Sequence, residues 1–128
     1  MNKVQQEIAA ASLGALIRDE NGSFQGRYLF PEGFSGFAGH FPGHPILPAI
    51  VELMTVIHLA GEQLGCRQRL VGVEDAKFLT PVRPNQELLV RCRPRTVRGK
   101  PLYDAQLSVE GITTASLLIE LACAEELP

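Results

Sequence analysis

The sequence predicts an α+β fold, with one long buried helix early in the chain and an antiparallel sheet wrapped on it. Three observations predict this. The stretch AIVELMTVIHLAGEQLG (Ala49 to Gly65) is apolar on most faces and free of breakers until Gly61. The segments after it read as strands, most plainly ELLVRCRPRTV and PLYDAQLSVEG, which alternate apolar and polar residues. Before it, PEGFSGFAGHFPGHPILP (Pro31 to Pro48) carries too many prolines and glycines for any regular element.

Composition sets the outer bounds. A chain of 128 residues, 45% hydrophobic and 20% charged, reads as one globular domain spanning 1–128. A formal charge of −2 argues for neither nucleic acid nor an anionic membrane surface as partner. Glu52 and His58 interrupt the longest apolar stretches, so no segment reads as membrane-spanning. No basic start leads into an apolar run and a cleavage site, and the expected setting is cytoplasmic. Cys66, Cys92 and Cys123 form an odd set without CxxC spacing, expected as reduced packing residues.

Each element has its own justification. MNKVQQEIAAAS (residues 1–12) is ambiguous between a short helix and a frayed end. SLGALIRDENGSFQGRYLF (Ser12 to Phe30) reads as a β-hairpin, with Asn21-Gly22 supplying positive-φ residues for a tight turn. Pro48 suits the start of the helix. Within the helix, Glu52, Thr55, His58 and Glu62 recur at spacings of three and four, a narrow polar stripe on a largely buried element. RLVGVEDAKFLTPV (Arg69 to Val82) is one strand, or two with an irregularity. In the next strand Leu88, Val90 and Cys92 face one way and Arg91, Arg93 and Arg95 the other. RGKP (Arg98 to Pro101) turns into a strand with Tyr103, Ala105, Leu107 and Val109 inside; a tight hairpin sets Arg95 opposite Asp104. ITTASLLIELACA (Ile112 to Ala124) is a final, more buried strand.

GHFPGHPILP (Gly39 to Pro48) followed by a buried helix resembles the 3-hydroxyacyl-acyl-carrier-protein dehydratases. VGVEDAKFLTPVRPNQELLV (Val71 to Val90) and TVRGKPLYDAQLSVEGITTASLLIEL resemble the sheet of the same family, so the resemblance covers Phe30 to about Leu121. It implies a single hotdog domain, a long central helix wrapped by an antiparallel sheet, dimerised so that two sheets run together. It also implies an acyl-thioester substrate, carried on the phosphopantetheine of an acyl carrier protein or on coenzyme A, in a tunnel at the dimer interface. A homodimer or an assembly of dimers, with no metal and no organic cofactor, is the expectation.

Dehydrating a 3-hydroxyacyl thioester requires a base for the α-proton, an acid for the departing hydroxyl and a hydrogen-bond donor for the developing enolate. By resemblance the base is His40, and the donor is the backbone N–H of Ala49, where the family has glycine. Gly43, with the turns at Pro42 and Pro45, would hold the loop. Phe41, with Phe34 and Phe37, either shapes the tunnel mouth or anchors the loop to the core. The family's Glu or Asp stands fourteen residues beyond the loop histidine, and that position here is Met54. Met54 cannot donate the proton, and is expected as helix packing or tunnel lining.

Two residues are candidates for the missing role. Glu52, two residues before Met54, points about 200° away around the helix. It is expected on the solvent side or at an interface, paired with a cation. His58, four residues after Met54, lies on nearly the same face but one turn away, about 5.4 Å. It is a candidate substitute acid, and equally a satisfied, partly buried histidine. His44 is expected at the rim; Pro42 between it and His40 argues against a metal site, because no regular helix can face both imidazoles together. The stripe Arg91, Arg93, Arg95, with Arg83 nearby, either meets an acidic carrier protein or is a solvated sheet face paired with Asp104.

Three functions follow from these residues. The first is a 3-hydroxyacyl-thioester dehydratase in fatty-acid or related acyl biosynthesis. The second is a non-catalytic acyl-thioester-binding or scaffold subunit that has lost the acid. The third is a hotdog thioesterase, for which Glu52 is the helix carboxylate at hand.

Overall fold

Asn2 and Gln5 settle the ambiguous start of the chain. The Asn2 side chain accepts from the Gln5 N–H at 2.8 Å, and the Gln5 side chain accepts from the Asn2 N–H at 3.0 Å. This reciprocal capping box satisfies two N–H groups that a helix start leaves open, and a helix runs over Lys3–Ala11 (α1). The computed structural model describes residues 2–37 and 43–124.

After α1 come two short strands, Ile17–Arg18 (β1) and Phe24–Leu29 (β2), and a 3-10 turn over Ser35–Phe37. The long helix is Ala49–Leu64 (α2), ended by Gly65 in the left-handed conformation at φ 74°. Four strands follow: Gln68–Phe78 (β3), Glu87–Val97 (β4), Lys100–Val109 (β5) and Ile112–Cys123 (β6). They join one antiparallel sheet in the order β1-β2-β4-β5-β6-β3. The chain after α2 therefore crosses to the far edge, and β3 leaves its outer side open. The stretch read as one strand or two is a single strand whose pairing with β6 slips twice, near Val71 and Glu74.

The two hairpins of the β4–β5–β6 meander close by two-residue turns. Arg98-Gly99 has φ 53° and 77°, and Glu110-Gly111 has φ 50° and 81°. Positive φ at both central positions matches the twist of the flanking strands. The first hairpin differs from expectation. Gly22 has φ 87°, but Asn21 is not left-handed. The Asp19 carboxylate accepts from the Asn21 and Ser23 N–H groups, each at 3.1 Å, and so stabilises a longer loop.

The alternation in β4 and β5 is realised in burial: Leu88, Val90, Cys92, Ala105, Leu107 and Val109 all face the core. In register, Asp104 pairs with Arg93 rather than Arg95, which stands opposite Leu102. Both guanidiniums still reach the Asp104 carboxylate, at 3.1 and 3.5 Å. Two of the three stripe arginines are thus engaged within the sheet.

The inner face of α2 lies on this sheet through Val51, Val56, Leu59 and Ala60. Gly26 of β2 sets the distance of approach. A Cβ there would stand 2.6 Å from Leu59 Cδ1. Gly26→Val is expected to destabilise the protein by about 1–3 kcal/mol through overpacking, read as a lower urea midpoint; an unchanged midpoint would mean the helix has room to rise.

Candidate active site

The loop that leads to the site is fastened before it begins. Phe34 packs on Phe30 with ring centroids 4.7 Å apart, and Phe37 meets Phe34 edge-on at 5.5 Å. Glu7 of α1 accepts from the Ser35 backbone N–H at 2.9 Å and from its hydroxyl at 2.5 Å. Those hydrogen bonds hold the Glu7 carboxyl below its usual range. Phe34 and Phe37 are therefore anchors. His40, Phe41 and Pro42 lie outside the described residues. Beyond them Gly43 has φ 84°, a conformation that favours glycine, and His44 is exposed.

Several backbone donors around the start of α2 already have acceptors. Leu47 N–H donates to the Val82 carbonyl at 2.7 Å, and Val51 and Glu52 N–H groups donate to Pro48 at 3.0 and 3.2 Å. Pro48 provides no side-chain cap. Ala49 is exposed and its N–H meets no acceptor among the described residues. Its φ is not positive, so a Cβ in place of the family's glycine brings no backbone strain.

The faces of α2 divide differently from the polar stripe read in the sequence. Glu52 is 4% exposed and Thr55 is fully buried, both among the residues that face the sheet. Glu52 is therefore not on the solvent side, and among the described residues it has no cation partner. Its Oε1 accepts from the Thr114 hydroxyl of β6 at 3.4 Å. Burial pushes its carboxyl up to about 7, and the Thr114 hydrogen bond offsets this only in part. The reason is geometric: Val51, Glu52, Thr55, Val56 and Leu59 share one side of a helix, and the sheet covers that side.

Met54 lies on the opposite side and lines a cavity of about 830 Å³ between α1, α2 and the start of β3. Ile8, Ile57 and Gly61 contribute its apolar wall, and His58, Arg67 and Arg69 its polar margin. A pocket of this size, mostly apolar with a few polar groups, suits a small or chain-like ligand.

His58 is held on two sides. Its Nδ1 and the Tyr28 hydroxyl of β2 are 2.7 Å apart, and its Nε2 is 3.4 Å from the Glu62 carboxylate. Burial holds the imidazole below its ordinary pKa, against the pull of Glu62, and burial raises the Tyr28 phenol. The consistent arrangement is a neutral imidazole: Tyr28 donates to Nδ1 and Nε2–H donates toward Glu62. Donating a further proton to a ligand requires His58 to charge, which its surroundings oppose.

Tyr28, Arg67, Gln68 and Arg69 were not singled out from the sequence. Tyr28 is thirty residues from His58 in the chain, and only the sheet brings it beneath α2. Cys66 and Cys123 were expected as separate packing residues, but they are joined in a disulfide; Cys92 alone is free and buried. An odd cysteine count hid the pair, because nothing local links the end of α2 to the end of β6. Among the described residues no group of three or more His, Cys, Asp or Glu side chains is placed to hold a metal, and no helix is long and apolar enough to cross a membrane.

Comparison with known proteins places this geometry. The profile of the ApeI-like family, described as ApeI dehydratase, matches residues 16–116. The 3-hydroxyacyl-acyl-carrier-protein dehydratase FabZ of Thiobacillus denitrificans is 32% identical over 91 residues, covering 62% of this chain and 62% of that protein. FabZ of Granulibacter bethesdensis is 40% identical over 100 residues, covering 66% of this chain and 59% of that protein. The matched region thus spans less than two thirds of either relative. Among solved structures, the dehydratase heterocomplex ApeI:P from Xenorhabdus doucetiae superposes with a TM-score of 0.73 at 22% identity, covering 88% of this chain and 96% of that chain. The E. coli PaaI protein superposes with a TM-score of 0.64 at 14% identity, over 94% and 92% of the two chains. These likenesses establish the hotdog fold.

Proposed function

Because the chain belongs to the ApeI-like dehydratase family, we propose that it binds 3-hydroxyacyl thioesters, on an acyl carrier protein or coenzyme A, and removes water to give the 2-enoyl thioester. The observation that carries this is the pairing of two features on one helix. At the exposed start of α2 the Ala49 N–H has no acceptor among the described residues, and the outer side of the same helix walls an apolar cavity. A thioester carbonyl at the first would gain a preorganised donor for the enolate oxygen, strengthened by the helix dipole. The acyl chain would lie in the second, past Met54. His40 is the proposed base, next to Phe41 in the sequence and three residues before Gly43. The chemistry uses acid–base groups alone, and no metal or organic cofactor enters the proposal. Carrier-bound substrates place the proposed work in the cytoplasm.

The working unit in this proposal is a homodimer. β3 is an open sheet edge bearing exposed Val71, Val73 and Phe78, with Leu79 beyond it 61% exposed; on α2, Ile50 is 60% exposed. Long apolar edges of this kind are normally covered. Two copies joined along β3 would cover these residues and bring two cavities to the interface.

A second reading has a specific observation behind it. Met54 occupies the acid's position while Glu52 turns into the core, so among the described residues the α2 carboxylate on the cavity is Glu62, eight residues beyond Met54 and 3.4 Å from His58. A non-catalytic acyl-binding subunit, paired with a chain that supplies the acid, is consistent with that. The thioesterase alternative is weakened by the same burial, since Glu52 faces Thr114 rather than a ligand.

The deciding experiment incubates the purified chain with short- and medium-chain 3-hydroxyacyl thioesters on coenzyme A and on carrier protein, following enoyl absorbance. Product from the chain alone is the expected result. Binding without turnover would leave the subunit reading, and release of free thiol would revive the thioesterase.

A further inference from the structure

We propose that Cys66 and Cys123 form a reversible thiol–disulfide clasp on the rim of the α2 cavity, so that oxidation fixes the cavity wall and reduction loosens it. The proposal takes from the preceding section only that the cavity holds an acyl chain.

Position is the first support. Cys66 follows the Gly65 cap of α2, and Cys123 is the last residue of β6. They are joined across 57 residues of chain with Cα atoms 5.9 Å apart, a spacing ordinary for a disulfide. One of the two cysteines and the chain around both wall the cavity: Cys66, Arg67, Gln68 and Ala124 line it. A covalent tie here fixes one side of a binding space as well as the backbone.

The junction does not depend on that tie. Gln68 pairs with Cys123 at the end of the β3–β6 ladder, and the Ala124 N–H donates to the Arg67 carbonyl at 2.7 Å. Backbone hydrogen bonds thus keep the two thiols within reach of each other after reduction. A device of this kind opens and closes without unfolding the sheet.

Access and chemistry agree. Cys123 is exposed, whereas Gln68 is buried and directs its Nε2 at 3.2 Å to both the Cys66 sulfur and the Cys66 carbonyl. An amide donor on sulfur favours the thiolate. With a small external disulfide of the glutathione class as oxidant, the Cys123 thiolate attacks one of its sulfurs and expels one thiolate. The Cys66 thiolate then attacks the Cys123 sulfur of the mixed disulfide and expels the second. Two protein thiols lose two protons and two electrons, and the external disulfide is reduced to two thiols. Cys92 takes no part: it is buried in the sheet, where burial and Asp104 push its thiol up to about 12.

The test uses the full chain equilibrated in oxidised or reduced glutathione, with cis-parinaric acid as a fluorescent acyl probe. Alkylation after denaturation is expected to count one thiol in the oxidised protein and three in the reduced. The oxidised protein should bind the probe about fivefold more tightly or better, a coupling of ordinary size. Cys66→Ser and Cys123→Ser should bind equally in both buffers, at the affinity of the reduced wild type. Gln68→Leu should form the disulfide more slowly. Equal probe affinity in both states, no disulfide under oxidation, loss of the circular dichroism of the fold on reduction, or no probe binding at all would each overturn the clasp. A redox-dependent probe affinity in a chain that dehydrates nothing would uphold the clasp and reject the dehydratase.

Discussion

Met54→Glu, assayed on 3-hydroxyacyl thioesters, is expected to raise dehydration by ~10²–10⁴-fold, the usual contribution of a positioned general acid. The position is right for it. Residue 54 lines the cavity on the side of α2 away from the sheet, where Met54 is only partly buried and a glutamate of similar length has space. The apolar wall of Ile8, Ile57 and Gly61 favours the protonated acid, while Arg67 and Arg69 on the cavity margin act against it. Activity should then fall as pH rises through the pKa of the new acid. His40→Ala in the Met54→Glu background should remove the gain by a similar factor. His58→Ala separates two explanations of any wild-type rate. If His58 is the acid, its loss abolishes the wild-type rate but spares Met54→Glu; if it only braces Tyr28 and Glu62, both proteins change little. An inert Met54→Glu protein that still binds substrate would mean that the acid is not the only group missing.

Glu52→Gln is expected to stabilise the protein at pH 8 by about 2–3 kcal/mol while leaving stability at pH 4 little changed. The folded carboxyl titrates at about 7, against an ordinary value of 4.5, because it is buried under α2 with the Thr114 hydroxyl as its hydrogen-bond partner. The folded state therefore holds a proton that the unfolded chain releases. The protonated carboxyl's advantage is complete below the unfolded pKa, declines between about 4.5 and 7, and is gone above it. Wild-type stability should accordingly drop as pH rises from 5 to 8. Glutamine keeps a hydrogen-bond partner for Thr114 and carries no charge, so its profile should lack that drop. Urea midpoints at several pH values measure it. Parallel profiles for the two proteins would show that Glu52 reaches water.

Much of the fold was open to local reasoning. The alternation Leu88, Val90, Cys92 against Arg91, Arg93, Arg95 names the buried face of β4 without reference to any neighbour, because a strand has a period of two. Gly65 after an apolar helical run marks the end of α2, and Gly99 and Gly111 supply half of each two-residue turn, since left-handed backbone favours glycine. The loop string GHFPGHPILP identified the family from residues alone. The hairpin at Asp19–Ser23 went wrong because a side-chain carboxylate substituted for the backbone geometry of a tight turn.

The candidate site was legible only in part. Spacing put Glu52 and Met54 on opposite sides of α2, and that holds whatever the helix packs against. Which side meets the sheet is a tertiary matter, and it went against the expectation for Glu52, which lies beneath the helix on Thr114. Helical periodicity reports relative angles but not what surrounds them. The partners of His58, the wall of the cavity and the Cys66–Cys123 bond join residues far apart in sequence. By itself the sequence determined α2, the strands β4 to β6, the family and the absence of a carboxylate at position 54. The tertiary structure alone decided which polar groups are buried, which are braced and which border open space, because burial is a property of what the sheet brings over each helix face.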